Sequence, residues 1–442
     1  MISKTSLFGL VATTIAGQAI AAPLTPIQID MGEVEFVAAD GTIQTAQHII
    51  EVRPMCAFKD QMTQADLVAY AERVIAETPE RPRNPTEVII AKGEGAPQGG
   101  SGVTVSFRLF GVVPAGATAT LAQVAELYAN TFDNNVTINL DVFFDTGFFG
   151  ATNASQFNVN YDTVRDRLVA TADEDDVVPQ LLPNNLLPVR DVDGGGVRNE
   201  NSARICSANA RALGGLPTSS VDATLSIGSG ANMDYTVTAP GGVTSMQFSA
   251  LDVIVHEVGH AIGFLSSVGG IGGFRPTPLD FYRFESDQRP TGTADFATTP
   301  RFFDADPSEQ GRHFFDDLTF GVRFENDSNF QSSHWLNAGS NPIGVMDPQI
   351  INGFTLFPDL LSEDDIAAFD AIGWDFSVPV IPLPCNAADL AEPFGQHDIA
   401  DVVSFLTFFG AGVPFVDLAP PFGELDIADV VTFLNLFGQG CP

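Results

Sequence analysis

The stretch "DVIVHEVGHAIGFLSS", residues 252–267, holds two histidines four apart, His256 and His260, with Glu257 directly after the first. Leu251, Ile254, Val255, Val258 and Ile262 surround them at helical spacing, and a helix apolar on most sides belongs in a domain interior. Ser249 and Asp252 stand at capping-box spacing at its start, and Gly263 can end or sharply bend it. On such a helix the two histidines lie on one face and can both point at one ion. Glu257 then sits beside the ion, where it can take a proton from water and deliver it to a leaving amine. Three protein ligands and one open position make a catalytic zinc site, in which water has a pKa of ~7. Two ligands are in hand, and the third must come from elsewhere.

The chain has six histidines. His48 and His397 fall outside the expected catalytic unit, and His313, among charges in "QGRHFFDD", reads as a surface loop. His334, in "FQSSHWLNAGSNPIGVMDP", is followed twelve residues later by Met346 in a tight "GVMDP" turn. Two carboxylates compete with it. Asp280, in "TPLDFYRFES", and Glu285 lie twenty and twenty-five residues beyond His260. A third possibility belongs to a different class: a non-catalytic surface adhesin that keeps the fold. The intact Glu257 argues against it, because a structural metal site has no use for a base.

At 442 residues the chain is too long for one ordinary core and implies two or three domains. Its 20 Lys and Arg against 55 Asp and Glu give a net charge of −35, a surface that repels nucleic acid and anionic membranes. Residues 1–21 carry Lys4, an apolar stretch and the small-x-small site Ala19-Ile20-Ala21, which predicts a secretory signal and an exported or cell-surface protein. No later segment reaches the ~18 unbroken apolar residues of a transmembrane span. Export makes Cys56, Cys206, Cys385 and Cys441 candidate disulfide formers. Of the three pairings, Cys56–Cys206 with Cys385–Cys441 is the economical one, since the last two bracket a small repeat.

Residues 22–110 mix strand-like pieces with a helix at "QADLVAYAERVIAE" and read as either a propeptide or part of the catalytic unit. Within 111–376, "ATLAQVAELYANTF" and "YDTVRDRLVATA" read as helices and "VTINLDVFF" as a buried strand, while "DVDGGGVRNEN" reads as an exposed turn or a calcium loop. "SVPVIPLP", residues 377–384, is a semi-rigid linker. Beyond it, in 385–442, residues 388–412 and 416–440 agree at 17 of 25 positions.

The blocks "VTINLD", "HEVGHAIGF", "LDFYRF", "SHW", "IGVMDP" and "DDIAAFDAIGW" stand in the order found in a family of bacterial secreted metalloproteases inferred from sequence. The helix, the distant histidine and the methionine turn also resemble leishmanolysin-type metzincins, in which a long insertion precedes the third ligand. The resemblance implies that His256, His260 and His334 are zinc ligands, Glu257 the base and Met346 the hydrophobic floor. It implies a zinc endopeptidase acting on protein or peptide substrates, and an α+β fold with a twisted sheet over the zinc helix. The repeat resembles a dockerin-like all-α module, which implies a cohesin-like or cell-surface partner. Oxygen side chains are missing from its loops where calcium would want them. Asp389, Asp398, Asp401, Asp417, Asp426 and Asp429 are therefore either calcium ligands or helix caps. The faces carrying Val402, Phe405, Leu406 and Phe409 are expected to pack against their repeat counterparts or a partner.

Overall fold

A computed structural model describes residues 27–52, 64–77, 85–93, 102–145, 150–172, 176–190, 196–230, 232–236, 243, 246–268, 275–285, 290, 293–303, 311–314, 320–325, 330–337, 342–376, 388, 390, 397, 399–410, 416, 418–419 and 425–440. The expected signal segment and linker, together with Cys56, Cys385, Cys441, Asp389, Asp398 and Asp417, lie outside these residues. The fold is mixed α+β, and the chain divides into two compact units, the second beginning at Phe376.

In the first unit, residues 27–110 supply β1 (Ile27–Val37), β2 (Ile43–Val52), α1 (Gln64–Glu77), β3 (Glu87–Lys92) and β4 (Thr104–Phe110). Next come α2 (Ala117–Thr131), β5 (Thr137–Asp145), β6 (Gly150–Asn160), α3 (Tyr161–Thr171), β7 (Leu187–Arg190), β8 (Val197–Glu200), β9 (Ser202–Cys206), α4 (Ser207–Leu213) and β10 (Ala223–Gly228). One eight-stranded sheet runs β1-β2-β6-β10-β5-β4-β3, with β9 also on β6. Strands β4, β5 and β10 are mutually parallel, whereas β6 is antiparallel to β10, β2 and β9. The helices read from periodicity form where expected, because each buries one apolar stripe; in α2 that stripe is Leu121, Val124, Ala125 and Tyr128.

The segment 27–52 is built into this sheet rather than lying beside it. Gln47, His48, Ile49 and Ile50 pair with Asn158, Phe157, Gln156 and Ser155. His48, expected outside the unit, stacks on Phe157 with ring centroids 4.7 Å apart. Arg204 of β9 bonds Glu51 of β2, and both side chains are 3% exposed.

The short parallel pair β11 (Met233–Asp234) and β12 (Phe248–Ser249) leads into α5 (Ala250–Ile262). All 13 residues of α5 are buried, and the helix packs against β6, β10 and α2. Leu251, Ile254, Val255, Val258 and Ile262 are each 0% exposed, and each such side chain contributes roughly 1.5–3 kcal/mol by leaving water. Ser249 caps the helix through Asp252 N, as its spacing predicts. The reciprocal half of the box differs: Asp252 instead accepts from Ser249 Oγ at 2.8 Å, Thr355 Oγ1 at 2.7 Å and Leu356 N at 2.8 Å. Gly263 ends the helix at φ 125°, a backbone conformation that favours glycine.

A second sheet runs β16 (Phe320–Arg323), β15 (Gly311–Phe314), β13 (Arg283–Glu285), β14 (Arg301–Phe302), β7, β8, with the short helix α6 (Thr293–Phe296) before β14. His313 is therefore a strand residue rather than a loop residue, and Val197–Glu200 of the supposed turn is a strand. The unit closes with α7 (Glu363–Ala371). The pairing Cys56–Cys206 is not formed: Cys206 is free and buried, its thiol directed at Ala261 O of α5 at 3.6 Å. Burial raises that thiol to about 12, which disfavours the thiolate form.

In the second unit α8 (Ile399–Gly410) and α9 (Ile427–Gln439) share a core of Ala388, Phe405, Val416 and Phe433, with Phe405 and Phe433 stacked at 4.1 Å. Leu406, expected to meet the repeat counterpart or a partner, is not in this core but points outward and is 57% exposed. Asp401 accepts Leu390 N at 2.6 Å, while Asp429 accepts Leu418 N at 2.7 Å, Ala419 N at 2.8 Å and Asp426 N at 2.8 Å. Asp426 in turn accepts Ala428 N at 2.6 Å. These three carboxylates thus act as caps that hold the preceding loops. Among the described residues no helix is long and apolar enough to cross a membrane.

Removing one partner of a buried ion pair strands the other charge. Glu51→Ala is expected to lower unfolding stability by about 3–5 kcal/mol, read from the denaturant midpoint. An unchanged midpoint would mean that β2 is dispensable to the sheet.

Candidate metal centre

The helix geometry of α5 brings His256 and His260 to one face, and His334 meets them from 74 residues farther along the chain. The three Nε2 atoms form a near-equilateral triangle: His256 to His260 3.1 Å, His260 to His334 3.2 Å and His334 to His256 3.2 Å. Every outer nitrogen faces a carbonyl oxygen. His256 Nδ1 donates to Val345 O at 2.6 Å, His260 Nδ1 to Phe264 O at 2.8 Å and His334 Nδ1 to Gln331 O at 3.0 Å. A carbonyl can only accept, so in each neutral ring the proton belongs on Nδ1 and the Nε2 lone pair faces the centre. Three lone pairs so close repel one another unless a cation lies among them.

The donor set fits zinc. Tetrahedral coordination with Zn–N bonds of ~2.0–2.1 Å needs nitrogens about 3.3–3.4 Å apart, close to the 3.1–3.2 Å found. Imidazoles oriented by backbone carbonyls are the usual supporting shell of such sites. Burial lowers His256 to about 4, against the opposing bond to Val345 O, which favours the neutral, ligating ring at pH 7. Among the described residues this is the one cluster of three or more candidate ligands.

The rival carboxylates are engaged elsewhere. Asp280 accepts from Ser266 Oγ at 2.6 Å, Ser267 N at 2.8 Å, Thr277 N at 2.9 Å and Thr277 Oγ1 at 3.0 Å. Glu285 bonds Arg190 at 2.6 Å. Ser266 itself donates its backbone N–H to Ser333 Oγ at 2.9 Å, and Ser332 Oγ donates to Val268 O at 2.6 Å. The loop after α5 therefore docks the segment that carries His334.

Met346 is 0% exposed and lies against α5 at Gly259, where a Cβ would overlap its sulfur. Asp365 of α7 fixes this turn, accepting Val345 N at 2.8 Å, Trp335 Nε1 at 2.7 Å and Ser362 N at 3.0 Å. A side chain at Gly344 would run into the same carboxylate. Trp335 N also bonds Met346 O at 3.1 Å. The turn is thus tied on one side to His256 of the triangle and on the other to a buried acid.

Glu257 is 2% exposed, and Thr152 Oγ1 of β6 lies 2.7 Å from its Oε2. Burial pushes the carboxyl up to about 8, while the threonine bond pulls the other way. A cation nearby would lower it further.

Sequence reasoning missed Thr152, Ser333 and Asp365. Asp365 had a readable signal, since Ser362-x-x-Asp365 has capping-box spacing and the box forms. Thr152 had none. No protein-family model, curated protein or solved structure matches the chain.

Metal analysis of purified variants tests the triangle. His334→Ala is expected to lose stoichiometric zinc, whereas Glu285→Gln, which disturbs the ion pair with Arg190, keeps it. Zinc retained by His334→Ala would remove His334 from the donor set.

Proposed function

We propose that the chain is an exported zinc endopeptidase of metzincin type. The reading is carried by three imidazole lone pairs that converge at 3.1–3.2 Å beside a helix residue, Glu257, with a buried carboxyl. Zinc held by His256, His260 and His334 would polarise a peptide carbonyl and acidify water at the site. Glu257 would receive the proton from that water and then pass it to the amine that leaves. Met346 would form the floor, a role supported by its contact with Gly259 between the two helix histidines. The metzincin assignment is further supported by a zinc helix that ends at Gly263 and by the turn that accepts the His256 proton.

For the C-terminal unit the reading is an attachment module with a cohesin-like or cell-surface partner. Its support is a pair of outward apolar stripes related by the repeat, Ile399, Val403 and Leu406 on α8 and Ile427, Val431 and Leu434 on α9.

The test is zinc content and hydrolysis of casein by the purified full chain. Glu257→Gln is expected to keep zinc and to lose activity by roughly 10²- to 10⁴-fold, the usual worth of a general base. Chelation should abolish cleavage, and added zinc should restore it. A Glu257→Gln variant as active as wild type would refute the base. Zinc-loaded wild type that cleaves neither casein nor mixed peptides would leave the adhesin reading standing.

A further inference from the structure

We infer that Thr152 is the positioning residue of Glu257, an inference that rests on the peptidase reading above. Along β6 the side-chain period of two puts positions 150 and 152 on one face, and that face meets α5. Gly150 leaves the space that Glu257 fills: a Cβ there would overlap Oε1 and lie 2.8 Å from Cγ. Thr152 holds the other carboxyl oxygen. The strand therefore forms a slot with an open side for Oε1 and a hydroxyl for Oε2.

The hydroxyl has a second partner. Thr152 Oγ1 is 2.7 Å from Glu257 O as well as 2.7 Å from Oε2. A hydroxyl carries one hydrogen and two lone pairs. Toward the carboxylate it donates. The hydroxyl therefore ties the carboxyl to the strand beside the residue's own backbone carbonyl, which fixes the orientation of Glu257. Register holds the hydroxyl there, since Thr152 pairs with Leu225 in the interior of the β6–β10 ladder. A threonine that merely bonds a helix carbonyl would not need its oxygen equidistant from the carboxyl.

Thr152→Val keeps the shape and removes the hydroxyl, and Thr152→Ser restores the hydroxyl alone. In the full chain, Thr152→Val should keep zinc and KM while kcat falls roughly tenfold to a hundredfold, the worth of one hydrogen bond to a charged group. Thr152→Ser should recover most of kcat. Crystal structures of both variants give a readout independent of activity: the Glu257 carboxylate should leave its slot or split between rotamers in Thr152→Val and stay in Thr152→Ser. A Thr152→Val protein with lower thermal stability but unchanged kcat and an unmoved carboxylate would overturn the inference, as would a Thr152→Ser protein as slow as Thr152→Val. Inactive wild type would refute the peptidase reading, while the carboxylate position would still decide the role of Thr152.

Discussion

The burial of α5 is the constraint on which the rest depends. A helix with 13 buried residues carries Asp252, His256, Glu257 and His260, and polar groups in a dry interior cost several kcal/mol when left without partners. The surrounding chain supplies those partners one by one. Thr355 and Leu356 serve Asp252, Val345 and Phe264 orient the histidines, and Thr152 meets Glu257. Even the helix carbonyls are served, by Tyr128 at Val255 O and by Trp374 at Ile262 O in the last turn, where no intrahelical donor exists.

Bringing His334 back across 74 residues is the costly part of the design. Two short polar clasps achieve it. Asp280 folds the loop after α5 onto itself, and that loop then bonds the serines just before His334. From the other side, the buried carboxylate of Asp365 gathers the Trp335 indole and the amides of the methionine turn. Its oxygens are filled by the Trp335, Val345 and Ser362 donors, so the acid serves as a structural acceptor.

What could be read beforehand was local. The limits of α5 follow from Ser249 and Gly263, both capping signals contained within a few residues, and the repeat in the second unit is visible by eye. Non-local pairing could not be read. Nothing in residues 27–52 says that β2 will lie against β6, so His48 seemed remote from a sheet in which it stacks on Phe157. Asp280 looked like a ligand because its residue type fits one, while the amides that occupy it come from loop geometry. Leu406 could not be placed beforehand, because periodicity cannot choose which apolar stripe of "IADVVSFLTFF" meets the neighbouring helix and which is left outward. Thr152 was invisible for a related reason: a threonine in a strand is ordinary until the helix across from it is known.

Anomalous scattering at the zinc edge from crystals of the full chain tests the central claim most directly. The account predicts one peak per chain, about 2.0–2.1 Å from each of the Nε2 atoms of His256, His260 and His334. A peak bound to Asp280 or Glu285, or zinc-soaked crystals with no peak among the three imidazoles, would contradict it.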